Sequence, residues 1–296
     1  MEDAILYWND VSLEANKVSH NVAGGEQRGP TLSSRALAIT HLAMYDAFAG
    51  VLGNPGDLPP YLNDLPPAPV GAAVDAAVAG AAHTALSALF PSQKPFFDTK
   101  RALAPIAGTA AQRSDGLVFG AVVAETLLAH RSGDPDASSV GYTASTARGA
   151  HRVDPDNPGQ GYYSPYYGSN AKCFAVSKRH ALDKPPIPSE VEYLDSLRQV
   201  RAKGIIPELT GTLPARFSKR TVDETLMGIF WAYDGTSGIG TPPRLYNQIV
   251  RQVAIHQGNT TAENARLFAL VNAALADAGI LSWEQKYIHN LWRPVL

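Results

Sequence analysis

SSRALAITHLAMYDAFAGVL, residues 33–52, is the stretch that sets the fold class. Leu37, His41, Met44, Tyr45, Phe48 and Leu52 recur at three- and four-residue spacing, which puts them on one stripe of a helix. The same period governs most of the chain. Before this stretch, residues 5–17 read as a short amphipathic helix. After it, proline-rich residues 55–69 end the run. Residues 70–89 are alanine-rich, and side chains that small allow two helices to approach closely. Pro91 closes that helix, and residues 92–103 form another, ending near Pro105. Ser114 reads as the cap of a helix to about His130, with Leu117, Ala121, Ala124 and Leu128 inward.

From 132 to 188 the character changes. Gly, Pro, Ser, Asp and Tyr crowd the line, as in DPDNPGQGYYSPYYG (154–168), and periodicity disappears. A loop of this length in a compact chain is usually functional or wrapped over a neighbour. Its DPDNPG piece has an acidic look but lacks the later glutamate and the spacing of a calcium loop, so it reads as a turn. Helices return at Ser189, with Glu192 as its capping-box partner, to about residue 203. Thr221 and Glu224 repeat the device for a helix ending near Tyr233. Thr241 and Pro242 start another, carrying Leu245, Ile249 and Val253. Thr260 and Glu263 cap a further helix, with Gly279 as its stop. Some nine helices without a credible strand make an all-α protein of packed bundles. Residues 1–188 are expected to form an N-terminal helical bundle with the long loop 132–188, and 189–296 to hold only the opening helices of a second, incomplete bundle.

The totals exclude several classes. The 296 residues are 45% hydrophobic and 18% charged, an ordinary globular balance, and the net charge is −2. No run of like charge points to nucleic acid or an anionic membrane. One cysteine, Cys173, allows no internal disulfide and no thiolate metal cluster. The N-terminus carries acids where a signal peptide needs a basic start, and no stretch approaches about 20 uninterrupted apolar residues. The reading is a soluble protein without a membrane span.

The last fifteen residues, SWEQKYIHNLWRPVL (282–296), hold the candidate chemistry. They read as one short helix, with Ser282 as N-cap, Gln285 as its reciprocal partner and Pro294 as the stop. On such a helix Lys286 and Arg293 leave the same face about 10 Å apart along the axis. Two long cations so placed can converge on a tetrahedral oxyanion, Lys as a point charge and Arg as a planar fork. Solvated cations near a helix C-terminus are the bland alternative. His289 follows Lys286 by three and could touch the same anion, though such a residue more often packs or caps. His83, His130, His151, His180 and His256 have no histidine partner three or four residues away. Serine elbows, phosphate-binding glycine loops, dinucleotide fingerprints and H-E-x-x-H are absent.

Taken together, several stretches resemble one family. YWNDVSLEANKVSH (7–20) followed by GPTLSSRALAITHLAMYDAF (29–48) is similar to the N-terminal region of vanadium-dependent haloperoxidases, the chloroperoxidase branch above all. FWAYDGTSGIGTPPRLYNQIVRQVA (230–254) and ARLFALVNAALADAGILSWEQKYIHNLWRP (265–294) resemble their centre, and the likeness includes SPYYG (164–168) and SKRHALDKPP (177–186). The resemblance implies two helical bundles, the second holding the cofactor, and a link to the acid phosphatases that bind phosphate in the same cage. Lys286 and Arg293-Pro294 match the first of three cage motifs and would hydrogen-bond vanadate oxygens. Trp283 matches a tryptophan beside the halide approach, and Asp234 an aspartate that pairs with a second cage arginine. The other motifs, Pro-Ser-Gly-His and a later arginine followed by the axial histidine, do not occur in this sequence.

The resemblance therefore implies the N-terminal portion of a haloperoxidase. Completed by a second polypeptide or a C-terminal half, it would oxidise halide with hydrogen peroxide to a hypohalous species. The site is incomplete, the axial metal ligand is expected from the missing part, and this chain alone is expected to be inactive. Two alternatives stand beside it: a superfamily phosphatase holding phosphate in the same cage, and a non-catalytic helical remnant that covers its exposed face by dimerising.

Overall fold

The computed structural model describes residues 3–233 and 236–293. These residues fold into helices joined by loops, with two isolated β-bridges and no strand, so the all-α expectation holds. The helices are α1 (Ala4–Asn21), α2 (Gly29–Val51), α3 (Val74–Leu89), α4 (Lys94–Leu103), α5 (Ala110–His130), the single turn α6 (Tyr167–Asn170), α7 (Val191–Gly204), α8 (Val222–Trp231), α9 (Pro242–Gln257) and α10 (Thr261–His289). Two compact units emerge. The first comprises Met1–Asp136, Asn170–Ser177 and Asp234–Ile280; the second comprises Ala137–Ser169, Lys178–Tyr233 and Leu281–Leu296.

In the first unit α2 is the central element. Every residue from Ala36 to Ala49 is buried, so the helix is enclosed on all sides rather than along one stripe, and Leu52 at its end is exposed. Arg28 is its N-cap and Pro30 pre-sets its first turn. The alanine-rich α3 packs against α5 through three glycines. A Cβ on Gly80 would overlap the backbone of Leu117, and one on Gly116 or Gly120 would overlap the backbone of residues 73–77. The buried stripe of α5 is accordingly Gly116, Phe119, Gly120, Val123, Ala124 and Leu127, not the one built on Leu117, Ala121 and Leu128. The cap also lies earlier than Ser114. Thr109 and Gln112 form the reciprocal box, with Gln112 N–H donating to Thr109 Oγ1 at 3.3 Å and Thr109 N–H to Gln112 Oε1 at 2.9 Å.

A polar network runs through this core. His41 donates from Nδ1 to the Leu37 carbonyl at 2.7 Å, and its Nε2 accepts from Asn9 Nδ2 at 3.0 Å, which fixes the neutral tautomer. Asn9 Nδ2 also donates to Asn247 Oδ1, and the Asn247 and Asn272 amides bond each other at 2.8 and 3.0 Å. This network decides which face of α9 turns inward. Asn247 is buried, Arg244 Nε donates to the Leu13 carbonyl and Arg251 to that of Leu6. Ile249 and Val253, expected at the core, are 45% and 52% exposed, and Leu245 is half-buried. α10 is long and apolar enough to cross a membrane by length and composition. Its Asn264, Asn272 and Asp277 are nevertheless buried against partners in the protein, as in a core helix.

Two buried titratable groups of α2 oppose one another. Burial holds His41 down at about 4, only partly offset by its bond to Leu37. Burial pushes Asp46 up to about 6 against the amides of Tyr61 and Leu62, which donate to it at 2.6 and 3.0 Å. Between pH 6.5 and 4 the unfolded chain protonates His41 and the folded chain does not, so acidification removes stability there. Asp46 is protonated in the folded chain near pH 6 and in the unfolded chain near 3.8, so the same acidification adds stability. Asp46→Asn should therefore lose about 2 kcal/mol more than the parent on going from pH 7 to 4.5, and His41→Asn about 2 kcal/mol less. Urea midpoints at the two pH values measure both; parallel pH dependences would refute the pairing.

The second unit carries α7, α8 and most of the irregular loop. The capping box of α8 is as expected, with Glu224 N–H donating to Thr221 Oγ1 and Thr221 N–H to Glu224 Oε2. Lys203 of α7 reaches Glu224 at 2.8 Å. Ser189 is not the cap of α7. Glu190 holds that position, its carboxylate accepting from Ile187 N–H at 2.9 Å. No residue of α8 is buried, and Leu226, Ile229, Phe230 and Trp231 are exposed.

Candidate functional site

Helix α10 does not stop at Gly279 and restart at Ser282. Gly279 is a packing glycine whose Cβ would lie 3.2 Å from Ser34 Oγ, and Ser282 sits inside the helix. The stop is Asn290, at φ 49°, a left-handed conformation that asparagine tolerates better than most residues. Its N–H still donates to the Lys286 carbonyl at 3.0 Å. Beyond it the chain is extended and pairs antiparallel with the long loop. His151 N–H donates to the Asn290 carbonyl and Trp292 N–H to the Gly149 carbonyl, both at 2.8 Å, around the Ala150–Leu291 bridge. Lys286 therefore comes from the last turns of a helix and Arg293 from extended chain past its end. They do not share a helical face.

The end of α10 is wrapped by the loop, which Trp283, Glu284, Gln285 and Tyr287 all meet. Gly168 lies so close that a Cβ would overlap the backbone of Trp283 and Glu284. Glu284 pairs with Arg179 at 2.9 Å. Gln285 Oε1, read from sequence as a capping partner, accepts from Leu182 N–H at 3.0 Å and lies 3.2 Å from His289 Nε2. That contact ties His289 to the preceding turn of its own helix. Trp283 Nε1 donates to the Tyr163 carbonyl at 3.1 Å, as does the Tyr287 hydroxyl at 2.8 Å. The Lys286 ammonium sits 3.6 Å from the centre of the Trp283 ring, a cation–π contact close enough to hold both side chains. The DPDNPG piece is a turn: Asp154 Oδ1 accepts from Asp156 N–H at 2.8 Å and Oδ2 from Asn157 Nδ2 at 3.1 Å. Asp234 and Pro294 lie outside the described residues.

One group here was not singled out by spacing. His151 packs its ring edge-on against Tyr162, with 5.5 Å between centroids. Tyr162 leads to Tyr142 and Tyr142 to Tyr287. Burial holds the His151 imidazole below its ordinary range, and the charges of Arg293 and then Lys286 depress it further. Burial and Tyr142 push the Tyr287 phenol up to about 12, with Arg293 acting the other way, so it remains a neutral donor. Asp154, held down chiefly by Asn157, also feels Arg293. Two cations, a neutral imidazole and a wall of tyrosines thus share this end of α10. Such a set can bind and orient an anion and exchange protons with it.

Residues 2–173 match the family model described as the vanadium chloroperoxidase N-terminal domain. The chain belongs to the vanadium haloperoxidase family. The vanadium chloroperoxidase of Curvularia inaequalis is 36% identical over 349 aligned positions, covering 98% of this chain and 56% of that protein. The chain thus spans about half the length of the curated relative it matches. A crystal structure of a bacterial vanadium-dependent iodoperoxidase matches with a TM-score of 0.71 at 18% identity, over 98% of this chain and 71% of the other. At that identity the likeness shows that the haloperoxidase helical fold is shared. The similarity to the Curvularia protein extends over the end of α10 and not only over the N-terminal domain.

Proposed function

We propose that this chain supplies the N-terminal portion of a vanadium-dependent haloperoxidase and the first part of its oxyanion cage. The observation that carries the proposal is similarity running over 98% of this chain and over 56% of a known vanadium chloroperoxidase. Lys286 and Arg293 are the donors, an ammonium and a guanidinium whose geometry suits the oxygens of vanadate or phosphate. Trp283 holds Lys286 in place, and Asp234 awaits a second cage arginine. When bound, vanadate acts as a Lewis acid toward hydrogen peroxide. This chain's residues would bind the anion, balance its charge and keep the tyrosine-lined side of the site shielded from water.

The Pro-Ser-Gly-His segment and the Arg/His motif come from a second polypeptide or a C-terminal half, and residues 189–296 lead into the bundle so completed. Exposed apolar side chains support this. Leu226, Ile229, Phe230 and Trp231 of α8 and, separately, Tyr246, Ile249 and Val253 of α9 present apolar surface that an added helix would cover. The assembled protein would oxidise chloride or bromide to a hypohalous species.

Co-purification tests the assembly: a companion carrying those motifs should accompany the native protein, and a homogeneous monomer of 31.5 kDa without one would refute it. Halogenation of an acceptor with peroxide, compared with phosphate release, each with and without vanadate, separates the haloperoxidase from a phosphatase of the same superfamily. Lys286→Ala and Arg293→Ala should each weaken orthovanadate binding by about tenfold or more, since each removes a charge-assisted donor. Unchanged binding would favour a non-catalytic helical remnant.

A further inference from the structure

His151 is brought to the two cations by backbone pairing rather than by sequence proximity. Its own N–H bonds the Asn290 carbonyl, four residues past Lys286 and three before Arg293, so the loop strand and the cation-bearing segment are fixed to one another. Tyr162 occupies its ring edge-to-face. Neither ring nitrogen has a hydrogen-bond partner among the described residues, although the ring is half-buried. The charges that act on it are Arg293 and Lys286; Tyr162 lies against it and leads on to Tyr142 and Tyr287, and Asp154 follows three residues later on its own loop. An imidazole with uncommitted nitrogens beside two cations gains from an anion and from little else. Without one, protonation adds a third positive charge; with one, an N–H donates to an anion oxygen and the added charge is balanced.

We propose that His151 is a further anion-contacting residue of this site, delivered by the long loop to a small tetrahedral oxyanion held between Lys286 and Arg293. This rests on the reading of Lys286 and Arg293 as an oxyanion site, and it gives the loop a part in binding as well as in wrapping α10. Orthovanadate and, separately, inorganic phosphate are titrated calorimetrically into the full chain or its native assembly. His151→Ala should weaken binding about tenfold, and His151→Gln, which keeps a donor, should recover most of that loss. Lys286→Ala is the control for the underlying reading. If it binds as the parent does, or if the parent does not bind, the site itself is refuted. If Lys286→Ala binds weakly and His151→Ala binds as the parent, only the role of His151 falls. A readout on the unaltered chain covers the case in which His151→Ala misfolds. By NMR, the imidazole of His151 should titrate at higher pH with saturating phosphate than without it. An unmoved His151 midpoint under conditions where phosphate binds overturns the proposal.

Discussion

Gly120→Val should destabilise the first unit by about 3–4 kcal/mol, and Gly120→Ala should already account for most of that loss. The Cβ is what cannot be housed. It would overlap the Ala77 carbonyl oxygen and lie 2.7 Å from the Ala81 amide nitrogen, both backbone atoms of α3. A flexible side chain could swing aside, but a packed helix must move as a body and open the seam along Gly80 and Gly116 as well. Gly228→Ala provides the contrast. It sits in α8 with nothing within 4 Å of its Cβ, so alanine should be neutral or should stabilise by up to about 1 kcal/mol through helix propensity. Urea unfolding of the three variants measures this. Equal midpoints for Gly120→Ala and the parent would show that α3 and α5 are not so closely apposed.

Asp277→Ala should cost about 3 kcal/mol or more. The carboxylate is only 3% exposed and accepts three backbone donors, from Phe174 at 2.5 Å, Ala175 at 2.9 Å and Val176 at 2.8 Å. Alanine leaves those amides without that acceptor, the Phe174 amide in a buried position: the Arg131 guanidinium stacks 3.7 Å from the Phe174 ring centre and donates to the Lys172 carbonyl, and the Tyr61 hydroxyl donates to the Phe174 carbonyl. Asp277→Asn keeps one acceptor oxygen and should fall between the two. Hydrogen exchange adds local resolution, because the amides of residues 174–176 should lose protection in Asp277→Ala before the helices do. Retained protection at those amides would mean that other acceptors had replaced the carboxylate.

The existence of the helices was legible from apolar spacing, and the reciprocal Thr–Glu signal located the start of α8 correctly. Spacing failed where the inward face is not apolar. On α9 the buried positions are Pro243, Asn247 and Ala254, because Asn247 meets Asn9 and Asn272 there while Arg244 and Arg251 reach the Leu13 and Leu6 carbonyls. On α5 the contact face is marked by glycines, which a count of apolar side chains passes over, and the glycine signal is the closeness of a neighbouring backbone. Gly279 was read as a terminator when it is a point of close approach to Ser34. At the site, the residue types Lys286 and Arg293 stood out, but their geometry depended on where α10 ends. His151 was not legible at all. It joins the cations through a pairing between distant segments, and no local period records such a contact.

The change at Asn290 alters how the Lys–Arg spacing should be understood. A helix advances about 1.5 Å and turns about 100° with each residue, while extended chain advances about 3.3 Å and turns over completely. The seven-residue interval is thus a composite ruler, graduated in turns up to His289 and in rungs afterwards. Lengthening the helical part by one residue would swing Arg293 around the axis. Lengthening the rung part by one would slip it against residues 149–151 and send its side chain to the opposite side, with Lys286 left where it was. The spacing tolerates substitution between its ends far better than insertion, and left-handed Asn290 is the zero mark from which the arginine's reach is measured.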